Sequence, residues 1–181
     1  MAPFDRSEWL RRARVRLARR AAVSRPAAEE QHAAEYAAIL GLEAVVGWAK
    51  GRGLSVDFHP KVETGRYGAE ARCVEVSSRI TPQKQLVIAL HELGHYLIQV
   101  SGRAADLFPH GYNRIDEGNP SRDALHKVDV VAEEFDAWRR GWNLARRLGA
   151  PIDREYFDTV RSEYLKSYFR WALRRGRVRD T

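Results

Sequence analysis

The string His91-Glu92-Leu93-Gly94-His95 is the part of this 181-residue sequence whose residue types and spacing could do chemistry. On a helix, residues four apart share a face, so imidazoles at 91 and 95 can reach one metal ion. Glu92 is rotated about 100° from His91, beside such a metal rather than opposite it. There it can take a proton from a water that the metal activates, the division of labour a zinc hydrolase needs. Zinc (Zn2+) suits two imidazoles plus a carboxylate and leaves its fourth position open. The plainer alternative is a pair of core or surface histidines that lie four apart by coincidence.

A third protein ligand is required. The longer motif, with glycine at 98 and a third histidine at 101, is excluded because the chain has Ile98 and Ser101. The candidates are His110, His126 and the carboxylates of the segment Val128 to Trp138. Val130, Ala137, Gly141, Leu144 and Leu148 form an apolar helical face whose spacing passes through Glu134. A carboxylate in the middle of an apolar stripe is costly unless something compensates it, and a metal does. Glu134 is therefore the expected third ligand, with escape to solvent or an arginine partner as the plainer alternative. Glu133 lies about 100° off the stripe, is more easily solvated, and is expected to matter little for metal content. Small Ala137 and Gly141 would let this helix approach the histidine-bearing one closely. Tyr96, His110, Tyr112 and His126 are candidate donors to an oxyanion or contacts to substrate. Packing for Tyr96 and loop surface for the others are their ordinary roles. His32 and His59 read as surface or capping residues, and Cys73 as a buried strand residue.

The elements that must position these groups follow from periodicity and punctuation. Phe4 to Val23 reads as an arginine-rich helix with Trp9, Leu10, Ala13 and Leu17 on one stripe. Ser24-Arg25-Pro26 restarts a second helix that runs to about Lys50, with Tyr36, Ile39, Leu40, Val46 and Ala49 at helical spacing. Leu54 to His59 and Ala71 to Val76 alternate as strands, with Pro60 to Gly68 as loop between them. The second of these strands is the expected substrate-binding edge. Thr81-Pro82 opens the metal-site helix, which carries Leu86, Leu90, Leu93 and Leu97 away from its histidine face. A polar loop covers Gly102 to Ser121. Asn119-Pro120 starts a long helix to Leu148, and Asp153 caps a last one with Phe157, Val160, Tyr164, Tyr168 and Trp171 along one side. That aromatic series reads as core rather than as a platform for stacking bases. The order of helices, small sheet and helices argues an α+β fold.

Composition bounds the function classes. At 44% hydrophobic and 30% charged residues, the chain is globular rather than disordered. The longest apolar run, Leu86 to Leu90, is far short of the roughly 20 residues a membrane span needs. Arginines occupy the place of a signal peptide's apolar region, and one cysteine permits no internal disulfide, so a cytoplasmic protein is expected. The net charge of +7 is concentrated at the ends. Residues 1–25 hold eight arginines against Asp5 and Glu8, and residues 166–181 hold Lys166 and five arginines against Asp180. Basic ends can bind phosphate backbones. More often they are solvated helix faces or solubilising tails.

The strand and serine-bearing turn Val74 to Ser78, the helix with Ala89-Leu90-His91-Glu92-Leu93-Gly94-His95-Tyr96, and a downstream Glu-x-x-Ala helix together resemble the ImmA/IrrE family of zinc metallopeptidases. The resemblance covers about residues 70–148. It implies a zincin-like domain, of gluzincin type, in which a small sheet packs against the active-site helix. It places Glu134, with Ala137, as the third ligand, and Trp138 stands where the family has Asp or Asn. It further implies cleavage of a specific protein, such as a DNA-binding regulator, in mobile-element control. The expected organisation is a basic N-terminal helix (1–25), the metallopeptidase domain (26–150), and a C-terminal helix with a basic tail (151–181). A regulatory nucleic-acid-binding or adaptor protein with a structural zinc site is the alternative from a different class.

Overall fold

The structure, a computed structural model, describes residues 26–112 and 124–174. The expected basic helix of residues 1–25, the start of the long helix at Asn119-Pro120 and the end of the basic tail lie outside these. Helix α1 (Pro26–Lys50) opens on a proline, whose fixed φ suits a helix's first turn. It buries Ala38, Ile39, Leu42, Val45, Val46 and Ala49, at spacings of three, four and seven. Tyr36 and Leu40, expected on that stripe, are exposed. The small Ala38 and the Leu42–Val45 pair set the buried face instead. Gly53, at φ 69°, turns the chain so that Leu54 N–H bonds the Ala49 carbonyl and strand β1 (Ser55–His59) can begin.

Two further strands follow, β2 (Gly65–Gly68) and β3 (Cys73–Ser77). The sheet order is β1-β3-β2, with β1 parallel and β2 antiparallel to β3. This corrects two expectations. The segment read as loop contains β2, and β3, expected as the edge, is central. With only Arg66 and Tyr67 between two glycines, β2 is too short to show alternation; its pairing with β3 makes it a strand. Central β3 buries Val74 and Val76 completely. Cys73 is half-buried rather than buried, and its thiol donates to Asp57.

Helix α2 (Pro82–Val100) is capped by the Thr81 hydroxyl, which accepts from Lys84 N–H. Gln85 ties it to the end of β3 through a buried 2.9 Å bond to the Ser77 carbonyl. Its leucines 86, 90 and 93 enter the core with Val56, Phe58, Val74 and Val76 from the sheet. A short α3 (Ala104–Leu107) leads to the long α4 (Ala124–Leu148), and Asp153 caps α5 (Arg154–Leu173) by accepting from Tyr156 N–H at 2.7 Å. Phe157, Val160 and Leu165 of α5 join the same core, so the C-terminal helix is packed on the body. The result is α+β: a three-stranded sheet and mostly helices. Among the described residues, no helix is long and apolar enough to cross a membrane.

Helices α2 and α4 approach backbone to backbone. A methyl group on Gly94 would lie 2.0 Å from the Ala137 carbonyl oxygen, and one on Gly141 would lie 2.5 Å from that of Leu90. Neither neighbour is a side chain that can swing away. Gly94→Ala is therefore expected to destabilise the protein by at least about 3 kcal/mol, the upper end for overpacking, in urea unfolding. A variant as stable as the parent would mean that the two helices are not held at this distance.

Candidate metal centre

His91 and His95 project from α2 toward α4, with ring centroids 4.8 Å apart and planes nearly perpendicular. Glu134 of α4 reaches between them. Its Oε2 lies 3.2 Å from His91 Nε2 and its Oε1 lies 3.4 Å from His95 Nε2. The three residues offer ligand atoms that all lie within 4.8 Å of one another. The glycine contacts between the helices are what allow a glutamate side chain to span this gap.

The donor set fits a cation. Glu134 is 1% exposed, and its Oε2 lies 3.2 Å from His91 Nε2 without the alignment of a full hydrogen bond. A buried carboxylate oxygen left in this state is costly, and a metal ion removes that cost. Two imidazole nitrogens and a carboxylate oxygen form a set that divalent transition metals accept. Burial disfavours the charged form of Glu134, yet His91 and His95 outweigh it and hold the carboxyl well below the usual carboxylate range.

The surroundings of the two histidines differ. His95 Nδ1, on the far side of the ring, faces Glu133 Oε1 at 3.7 Å. Glu133 is buried, contrary to its expected solvation, because the segment leading to Tyr112 folds over it. Its Oε2 accepts from Tyr112 N–H at 3.3 Å. His91 instead lies flat against Trp138, at 4.2 Å between centroids and 21° between planes.

Glu92 occupies the cleft in front of the cluster and is not part of it. It is 8% exposed and packs under β2, where a side chain at Gly65 would collide with its carboxylate. Burial raises its pKa; His91 and His95 oppose the rise, as does a hydrogen bond from the Tyr67 backbone N–H. The cleft holds about 380 Å³, and Tyr67 of β2, Tyr112 and Tyr168 are among the residues that line it. Tyr112 donates its hydroxyl to Glu134 Oε1 at 2.7 Å. Tyr168 also interacts with Tyr112 and Glu134, and the phenol of each is pushed up by burial and by the Glu134 charge.

The structure thus brings together His91, Glu92, His95, Tyr112 and Glu134. It does not bring in the other candidates. Tyr96 packs edge-on against Trp48 and Tyr67 in the core. His126 turns its Nδ1 to the His110 carbonyl and its ring edge to Trp171, while His110 N–H bonds Asp129. Neither histidine lines the cleft. Sequence reading missed Tyr168, which it assigned to a core stripe. The usable signal was a hydroxyl on an apolar stripe, which needs a partner when buried. It also missed Tyr67, because β2 was not recognised.

Metal binding here competes with protons. Burial opposes charge on His95, but Glu133, Glu134 and Glu92 outweigh it and push its pKa up to about 10. In the metal-free protein this proton adds stability that is full below the unfolded value of about 6.5 and lost as pH rises through 10. A metal must displace it. Zinc affinity is therefore expected to rise about tenfold per pH unit between pH 6.5 and 8.5, read by chelator competition. A flat profile would show that His95 carries no proton when the metal arrives.

Compared with known proteins, the chain matches no family model, no curated protein and no solved structure.

Proposed function

We propose that this protein is a cytoplasmic zinc-dependent peptidase of ImmA/IrrE type, with a zincin-like arrangement, that cleaves one protein or a narrow set of proteins. The observation that carries this reading is a three-residue ligand cluster opening on a cleft that also holds a separate buried glutamate, Glu92. A structural zinc site closes its coordination with four protein ligands, and only three lie together among the described residues. His91, His95 and Glu134 would hold the ion. When bound, zinc supplies Lewis-acid chemistry, polarising a carbonyl and making a water acidic enough to lose a proton near neutral pH.

The chain's own groups divide the remaining work. Glu92 accepts a proton on its carboxylate from the attacking water and passes it to the leaving nitrogen. Its raised pKa suits both halves of that transfer. Tyr168, on the cleft wall, offers a phenol hydroxyl to the oxygen on which charge develops, while Tyr112 keeps its hydroxyl on Glu134. Glu133 holds the His95 ring from behind. At the rim, β2 is the sheet edge beside the cleft, and an extended peptide can add to such an edge through its backbone. A DNA-binding regulator in mobile-element control is the substrate class that the family resemblance suggests.

The test is a search for new protein N termini in a cell extract treated with the full chain. Termini that appear with the zinc-loaded parent, and vanish on chelation or with Glu92→Gln, support the reading. Identical termini with parent and Glu92→Gln would overturn it. The adaptor reading draws on a separate face, a groove lined by Leu97, Arg139, Arg140, Asn143, Arg146 and Arg147. Asp136 already pairs with Arg139 and Arg140. DNA binding that falls steeply with salt, with no new N termini, would favour that reading.

A further inference from the structure

His91 and His95 are supported in different ways, and the difference falls on Trp138. A metal-ligating histidine ordinarily donates its outer ring N–H to a carboxylate, carbonyl or water, which fixes its tautomer and the direction of its lone pair. His95 Nδ1 has the Glu133 carboxylate facing it at 3.7 Å, an ion-pair contact. His91 Nε2 faces Glu134, so its outer nitrogen is Nδ1, which is buried and has no hydrogen-bond partner among the described residues. What touches the ring instead is the face of Trp138, stacked on it at 4.2 Å.

The indole is not in place for its own hydrogen bond. Trp138 is completely buried, and its Nε1–H also has no acceptor among the described residues. A buried tryptophan usually finds one, and a phenylalanine would fill much of this space without leaving a donor unmet. The feature of Trp138 that the structure uses is its broad flat surface. The indole also packs against Phe157 and Tyr164 of α5, at 5.6 and 5.8 Å between centroids. These contacts restrain the plane of Trp138, which in turn limits the tilt of His91.

We infer that Trp138 is a positioning residue of the metal centre: it holds the His91 imidazole by ring stacking where the outer nitrogen has no acceptor among the described residues, so zinc affinity depends on that aromatic contact. This rests on the metal-site reading above, and it assigns to α5 a part in the centre through Phe157 and Tyr164.

Zinc affinity of the full chain, measured by competition with a chromophoric chelator, tests it in the parent, Trp138→Phe and Trp138→Leu. The phenylalanine variant keeps a smaller stacking face and is expected to fold with a similar melting temperature and to bind zinc a few-fold more weakly. The leucine variant loses the stack and is expected to lose on the order of 10-fold or more. Folded variants that bind zinc as tightly as the parent, with only a lower melting temperature, would reduce Trp138 to core packing and overturn the inference. Should the leucine variant fail to fold, NMR of the zinc-loaded parent decides. The expected result is His91 ring protons shifted upfield by the indole, with no low-field, hydrogen-bonded Nδ1–H. A low-field His91 Nδ1–H would show that an acceptor holds the ring, and would overturn the inference. A parent that takes up no zinc would remove the metal-site reading itself, an outcome separate from equal affinities across the series.

Discussion

Replacing Glu92 with glutamine is expected to leave zinc bound and the fold intact while slowing cleavage by on the order of 10²–10⁴-fold. The substitution keeps size and most hydrogen bonding, so the Tyr67 backbone N–H and the close contact with Gly65 still have a partner of the same shape. What is lost is the proton acceptor. Glu92 lies outside the ligand cluster, so zinc content should not move. Stability should hold or rise slightly, because a buried carboxylate is replaced by a neutral amide. Loss of zinc from Glu92→Gln would mean that this residue belongs to the metal set. Retention of full activity on the physiological partner, alongside loss of function in His95→Ala, would assign zinc a structural role.

Glu134→Gln is expected to lower zinc affinity by more than about 100-fold, beyond the range typical of residues that only support a ligand. The amide keeps the space but loses the negative charge on the oxygen, which is what holds a dication between two neutral imidazoles. Glu133→Ala is expected to cost on the order of 10- to 100-fold, because His95 loses the carboxylate behind its Nδ1. This replaces the expectation, based on helix phase alone, that Glu133 would be immaterial. Chelator competition on the three proteins sets the order. A larger loss for Glu133→Ala than for Glu134→Gln would exchange the roles of the two glutamates.

The parts legible in the sequence were those in which one element carries its own periodicity. The leucines of α2 fixed which face the histidines share, and Ala137 with Gly141 marked the side of α4 that meets them. That phase identified Glu134 as the carboxylate pointing inward, now between the two imidazoles. The misreadings have one cause: each depends on a contact with a distant segment. The angle of Glu133 on α4 points it toward solvent, but the chain at Gly111 and Tyr112 buries it. Strand β2 exists through pairing with β3, since two glycines and two other residues show no alternation. Tyr168 sits on an aromatic stripe that is core at Phe157 and cleft wall eleven residues later, where α5 passes the metal cluster. In the sequence, Trp138 stands out only as a departure from the Asp or Asn that the family resemblance implies. That it would lie flat on His91 depends on the spacing of α2 and α4, which a linear pattern does not carry.

His91, His95 and Glu134 are expected to hold one zinc ion whose remaining coordination is open to the cleft. Zinc stoichiometry of the purified full chain, combined with X-ray absorption at the zinc edge, tests it most directly. The expected result is one zinc per chain, with two imidazole nitrogens and only oxygen in the remaining positions. No stoichiometric zinc after loading, a sulfur ligand from Cys73, or a third imidazole in the shell would contradict it.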